Sequence, residues 1–218
     1  MLKLNKIQYH PATAQDAVLK DINLEAFLGK PVIVAGISGS GKTSLLEIIS
    51  GLSKPKKGEI LWYNNKTNER QRRNLCGVVF QFPERHFLGL TVAQELRLGQ
   101  RRLDGELQLE VLKKVGLSEV DLRQAPEKLS GGQQRRLAIG IQLLRKPSIL
   151  LLDEPTAGLD WSVRNEILSL LANISNEQIL IVVTHEPDLF QNWSISSYLL
   201  KDGMLIPKNE LNSMFQFK

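Results

Sequence analysis

The run Gly36-Ile37-Ser38-Gly39-Ser40-Gly41-Lys42-Thr43 has the spacing G-x-x-x-x-G-K-[ST], and each residue type in it has a physical task. Backbone N–H groups can converge on phosphate oxygens only where side chains do not intervene, which the glycines allow. A helix that starts there turns the positive end of its dipole towards the anion. Lys42 is then placed to reach the β- and γ-phosphates of a nucleoside triphosphate, and Thr43 to hold Mg2+. Ser38, Ser40 and Ser44 complete the polar surround.

Two carboxylates, Asp153 and Glu154, close the apolar run Ile149-Leu-Leu-Leu. A parallel strand delivers its C-terminal end to the ligand crevice of an α/β sheet, so Asp153 can serve the magnesium and Glu154 can take a proton from an attacking water. One acid for the metal and one for the water describes a hydrolase rather than a simple nucleotide binder. His185 follows the run Ile179–Val183 and Thr184, reaches the same edge, and can donate to a γ-phosphate. Gln81 ends Gly77-Val-Val-Phe80 in the same manner, where its amide can contact the magnesium or orient the water. Each has a plainer alternative if taken alone: a solvated acid at a strand end for Glu154, a structural imidazole for His185.

Such residues need a sheet to align them. Pro31-Val-Ile-Val-Ala35 is short and wholly apolar, as a strand buried on both faces must be, and the helix Thr43–Ser50 follows the glycine loop. Leu2–Tyr9, Val18–Ala26 and Gly58–Tyr63 have strand character, broken by turns such as Leu28-Gly-Lys-Pro31. From Thr91 to about Gly116 the pattern becomes helical and charged, and 131–146 is helical again. Then come the strand Ile149–Asp153, a helix over Trp161–Ile174, the strand Gln178–Val183, a short helix near Pro187 and a hairpin turning at Lys201-Asp-Gly203. Strands alternating with helices imply an α/β fold with a mainly parallel sheet.

With 218 residues, 42% of them hydrophobic, the chain can bury a core. The net charge of +5 is spread over pairs such as Lys56-Lys57, Arg72-Arg73, Arg101-Arg102 and Arg135-Arg136, which reads as solvated surface, with a nucleic-acid or anionic-membrane face as the alternative. A single cysteine, Cys76, sits in the apolar run Leu75–Phe80, which excludes an intrachain disulfide and marks a small core residue. No apolar run approaches the roughly 18 residues of a membrane span, and the N-terminus lacks a signal-peptide core.

A second glycine pair, in Leu129-Ser130-Gly131-Gly132-Gln133, opens another helix N-terminus, although the chain's own phosphates already have a cradle. The phosphate loop, Gln81, this LSGGQ run, the Asp153-Glu154 strand end, Ala157-Gly-Leu-Asp160 and His185 occur in the order of an ATP-binding-cassette (ABC) ATPase, which the chain resembles over nearly its full length. The resemblance implies a P-loop NTPase of the ABC type: a mainly parallel core sheet, an N-terminal antiparallel β subdomain and a small helical subdomain. It divides a single domain, 1–218, into an ATP-binding core over about 1–85 and 147–218 and a helical, signature-bearing part over 86–146. It further implies ATP and Mg2+ as ligands, Glu154, His185 and Gln81 as catalytic residues, and Thr43, Gln81 and Asp153 around the metal. Head-to-tail pairing of two cassettes, as homodimer or heterodimer, would close Ser130, Gly131, Gly132 and Gln133 over the partner's ATP and put Asp160 at the seam. Tyr9 is the candidate to stack on adenine, with His10, just before Pro11, as the alternative.

Phe80-Gln-Phe-Pro-Glu-Arg-His-Phe87 with Thr91-Val-Ala-Gln-Glu95 resembles the corresponding region of the ATPase components of energy-coupling-factor importers for vitamins and metal ions. The expectation is a cytoplasmic subunit, peripheral on the membrane, energising a transmembrane transporter partner, with no direct nucleic-acid contact. A soluble ABC ATPase serving repair, translation or cluster assembly is the competing class. The stretch Met214-Phe-Gln-Phe217 offers a small docking tail.

Overall fold

The computed structural model describes residues 1–11, 16–100, 102–193 and 195–208, so Arg101 and the Met214–Phe217 stretch lie outside the described residues. The chain opens with β1 (Leu2–Tyr9), β2 (Leu19–Ala26) and β3 (Val32–Ala35), then α1 (Lys42–Ser50). It continues through β4 (Lys57–Trp62), the two-residue β5 (Asn65–Lys66), α2 (Glu69–Leu75) and β6 (Cys76–Val79). Helices α3 (Val92–Arg97), α4 (Gly105–Lys114) and α5 (Gly131–Leu144) follow, then β7 (Ile149–Asp153), α6 (Trp161–Ser175), β8 (Ile179–Thr184), β9 (Ser196–Lys201) and β10 (Met204–Pro207).

Two sheets result. The first is antiparallel, in the order β2-β1-β4-β5. The second runs β10-β9-β3-β8-β7-β6 and is parallel except for β10, which returns on β9 as the outer strand of a hairpin. Strands β7 and β8 are buried at every residue, which is why they read as unbroken apolar runs. The alternation of side chains across a strand divides these runs between two cores. Leu150, Leu152, Leu180 and Val182 pack with α5 and α6 on one face, while Ile149, Leu151, Ile181 and Val183 pack with α1 and the antiparallel sheet on the other.

Two local differences from the sequence expectation have physical causes. The helical pattern over 91–116 is two helices, because Leu98 leaves the helical region as the C-cap of α3 and Gly99 follows at φ +74°. Helix α2 had no apolar stripe to reveal it; a capping box between Asn68 and Gln71 starts it, with Gln71 N–H donating to Asn68 Oδ1 and Asn68 N–H to Gln71 Oε1, both at 2.9 Å.

Candidate functional site

Parallel register brings the C-terminal ends of four strands to one edge. Ala35 pairs with Thr184, Asp153 with Val183, and Val79 with Leu152, so the phosphate loop after β3, Gln81 beyond β6, Glu154 after β7 and His185 after β8 share that edge. Between them lies a cleft of about 750 Å³ lined by Val18, Ile37, Ser38, Gly39, Gly41, Lys42, Thr43, Ser44, Gln81, Asp153, Glu154 and His185.

The loop is shaped for an anion. Gly41 is the N-cap of α1 at φ +101°, and no side chain caps this helix, whereas Asn68, Thr91, Asp104, Ser130 and Asp160 cap α2 to α6. The first-turn N–H groups of α1 therefore need an acceptor from elsewhere. A Cβ on Gly41 would fall 2.9 Å from Val18 Cγ1, and one on Gly36 would fall 2.5 Å from Ser40 Oγ, so neither position has room for a side chain. Ser40 Oγ is buried without a hydrogen-bond partner among the described residues.

Charge is concentrated behind the loop. Lys42 Nζ donates to the carbonyls of Gly36 at 2.7 Å and Ile37 at 3.2 Å, and lies 3.5 Å from Glu154 Oε1. Thr43 Oγ1 donates to Asp153 Oδ2 at 2.6 Å. Burial pushes the Asp153 carboxyl above its ordinary range, the Thr43 hydrogen bond and Lys42 oppose the rise, and the neighbouring Glu154 adds to it. Glu154 Oε2 accepts from the backbone N–H of His185 at 3.2 Å and lies 2.8 Å from His185 Nδ1. Its backbone sits at φ +48°, in the left-handed region that non-glycine residues seldom enter.

The structure keeps other sequence candidates apart from this cleft. Ser130 is the N-cap of α5 in a capping box with Gln133: Gln133 N–H donates to Ser130 Oγ at 3.3 Å, and Ser130 N–H to Gln133 Oε1 at 2.9 Å. Asp160 caps α6 by accepting from Val163 N–H at 3.0 Å. Tyr9 is not part of the cleft wall: its hydroxyl donates to Ser53 Oγ at 3.4 Å beyond the C-terminal end of α1, while its carbonyl accepts from the Val18 N–H at 2.9 Å. Val18, which the sequence left unmarked, forms that wall instead.

Arg135, read from the sequence as part of a solvated basic pair, is instead buried. It is 2% exposed and donates from one terminal nitrogen to the Glu154 carbonyl at 3.1 Å and from the other to the Ala157 carbonyl at 3.2 Å. Burial lowers its pKa, with Glu84 opposing. The legible signal was its place in the stripe Gly132, Arg135, Ile139, Leu143, where helical spacing called for a buried side chain. Arg164, donating to the Leu159 carbonyl at 2.8 Å and to Glu186 Oε1 at 2.9 Å, ties the segment before α6 to the residue after His185.

The ABC transporter family model matches residues 19–157, from β2 through the phosphate loop and the signature to the end of β7 and beyond. The chain belongs to the ABC transporter ATP-binding family. Among curated ABC proteins it is 37% identical to the chloroplastic ABC transporter I family member 11 of Arabidopsis thaliana, covering 85% of this chain and 72% of that one. It is 36% identical to the energy-coupling factor transporter ATP-binding protein EcfA2 of Latilactobacillus sakei, over 89% and 72%. Its fold matches cbiO1 from Clostridium perfringens, part of the ABC transporter complex cbiONQ, with a TM-score of 0.85 and 28% identity over 99% of this chain and 91% of that one. A dimeric ATP-binding cassette bound to ADP and Pi in a post-hydrolysis state matches with a TM-score of 0.77 and 31% identity, over 94% and 96%. The architecture is thus that of an ABC ATPase, with an antiparallel N-terminal sheet beside a mainly parallel one.

Proposed function

We propose that this cassette hydrolyses ATP to energise a membrane transporter of the energy-coupling-factor type, which imports a small solute such as a vitamin or a metal ion. The observation that carries the reading is the convergence of Lys42, Thr43, Gln81, Asp153, Glu154 and His185 on one cleft beside an uncapped helix N-terminus. The named relatives supply the transport context. Among the described residues no helix is long and apolar enough to cross a membrane. In this reading, which rests on the transporter relatives, the cassette works on the cytoplasmic face, bound to a transmembrane subunit at the groove beside Gln81–Phe87.

In this reading Gly36, Ser38, Gly39, Ser40, Gly41 and Ser44 surround the phosphates, and Lys42 exchanges its carbonyl partners for phosphate oxygens. Thr43 Oγ1 and Asp153 Oδ2, already 2.6 Å apart, with the Gln81 amide oxygen, are hard oxygen donors that suit Mg2+. Bound there, Mg2+ supplies neutralisation of charge on the transferred phosphoryl group. Glu154 takes the proton of the attacking water, His185 orients Glu154 and faces the γ-phosphate, and Gln81 orients the water. Residues 86–146 form the helical part and 1–85 with 147–218 the core. Two such cassettes, identical or merely similar, pack head to tail with Ser130, Gly131, Gly132 and Gln133 over the partner's phosphates. The Ser130 hydroxyl accepts from Gln133 and keeps its proton to give. Asp160 lies at the seam, and Tyr9 or His10 meets the adenine.

Glu154→Gln keeps the size of the side chain and removes the base. It is expected to bind ATP, accumulate as an ATP-held dimer in light scattering, and lose about 10²–10⁴-fold in turnover. Tagged protein recovered from detergent-solubilised native membranes is expected to bring down a multi-span chain. Wild-type turnover by the variant overturns the catalytic assignment, and recovery of only soluble partners or salt-dissociable nucleic acid overturns the transport reading.

A further inference from the structure

Within its first two turns α5 touches the segment that follows β7 at three points. A Cβ on Gly131 would stand 3.7 Å from Leu159 Cδ2, an ordinary contact. Gly132 lies so close to α6 that a Cβ would fall 2.3 Å from Val163 Cγ1. One turn on, the buried guanidinium of Arg135 holds the carbonyls of Glu154 and Ala157. Glu154 lies just past the end of β7, in a left-handed backbone conformation, and its own N–H donates to the Val183 carbonyl at 2.9 Å. Its carbonyl accepts from the Ala157 N–H at 3.1 Å and, at the same distance, from a side chain of another element, that of Arg135. A strained backbone persists only where its surroundings over-determine it, and here Arg135 is one of three restraints on the peptide groups of Glu154, beside the Val183 carbonyl and the Ala157 N–H.

We propose that Arg135 is a positioning residue through which a phosphate gripped at Ser130–Gly132 sets the aim of the Glu154 carboxylate. This rests on the reading above, in which the α5 N-terminus serves the partner's ATP and Glu154 serves the chain's own. Drawing an anion onto the N-terminus shifts α5 as a stiff unit, and the planar fork of Arg135 carries that shift to two carbonyls at once. Two donors in fixed relation define an orientation as well as a distance, which a lysine ammonium does not. The close seat of Gly132 on Val163 moves the Asp160 segment with it. One helix thereby reports the occupancy of one ATP site to the base of the other.

The test uses the full chain with Arg135→Met, Arg135→Lys, Ser130→Ala, the Ser130→Ala/Arg135→Lys double variant and Glu154→Gln. The readouts are ATPase kcat and KM, affinity for a fluorescent ATP analogue, and the thermal midpoint. Arg135→Met is expected to lose about 100-fold in kcat at unchanged nucleotide affinity, the order produced by misplacing a catalytic group by an ångström. Arg135→Lys falls between, and it carries the test alone if the Met variant does not fold. The double variant loses no more than the worse single, since both changes cut the same path. Wild-type kcat in Arg135→Met, or in Arg135→Lys where that variant stands alone, overturns the proposal, as does a double variant in which the two losses multiply. If Glu154→Gln or Ser130→Ala turns over at the wild-type rate, the underlying site reading fails instead.

Discussion

Gly131 and Gly132 are neighbours with different reasons to be glycine, and alanine substitutions separate them. At Gly132 the added carbon would stand 2.3 Å from Val163 Cγ1, whereas carbon atoms attract best at about 3.5–4.0 Å. More than an ångström must be found. Val163 is β-branched on a helix, with one strongly preferred rotamer, so the helices rather than the side chain must give. Overpacking of this kind costs about 1–3 kcal/mol, and a clash this close belongs at the upper end. Removing a helical glycine returns about 1 kcal/mol, leaving a net loss of about 2 kcal/mol. For a chain of this size that lowers the thermal midpoint by about 4–8 °C. Gly131→Ala meets only an ordinary contact and is expected to be neutral or to gain about 0.4–1 kcal/mol. The assay is calorimetry of both variants and of Gly132→Ala/Val163→Ala, in which removal of the valine methyls restores about 1–2 kcal/mol relative to the sum of the singles. A Gly132→Ala midpoint equal to or above that of Gly131→Ala refutes the packing argument.

Two further outcomes follow from buried titratable groups. Burial raises the Asp153 pKa, so the folded chain holds that proton more tightly than the unfolded one. The resulting stability is present below the unfolded pKa and is lost as pH rises through the raised folded value. In EDTA and without nucleotide, Asp153→Asn is expected to have a higher midpoint than the wild type at pH 7–8, with the gap closing as pH falls through the carboxyl range; an equal or lower midpoint at pH 7–8 contradicts this. Burial also pushes the Cys76 thiol up to about 12 against the opposing charges of Arg72 and Arg145. A thiol-specific disulfide reagent at pH 8 is expected to leave Cys76 unmodified until denaturant is added, and rapid labelling of the native protein would refute its inertness.

Polar residues at strand ends were legible as such, since an apolar run followed by a polar residue fixes both the strand and the edge it reaches. Asp153, Glu154, His185 and Gln81 share the cleft for that reason. Residues that act through tertiary neighbours were not. Residue types near Glu154 do not mark it as left-handed, because that conformation is held partly by Val183 and Arg135 from other elements, beside the turn bond from the Ala157 N–H. Tyr9 was singled out by residue type alone, and the sequence did not show its pairing opposite Leu19 or the hydrogen bond from its hydroxyl to Ser53. Helix α2, Glu69-Arg-Gln-Arg-Arg-Asn-Leu75, has a single apolar residue and hence no periodicity, though its capping pair Asn68 and Gln71 could have announced it.

The order of strands in the core sheet bears on how the chain is made. Strand β3, which carries the phosphate loop, is flanked by β8 and β9. Its first neighbour begins at Ile179, long after Ala35 has left the site of synthesis. At about 5–20 residues per second the ribosome takes about 7–30 s to bridge that interval, during which β3 has neither sheet partner. The antiparallel sheet, drawn entirely from residues before Thr67, can pair early and shelter one face of the waiting segment. The sheet around β3 is therefore completed late, by strands that lie C-terminal to Gln178.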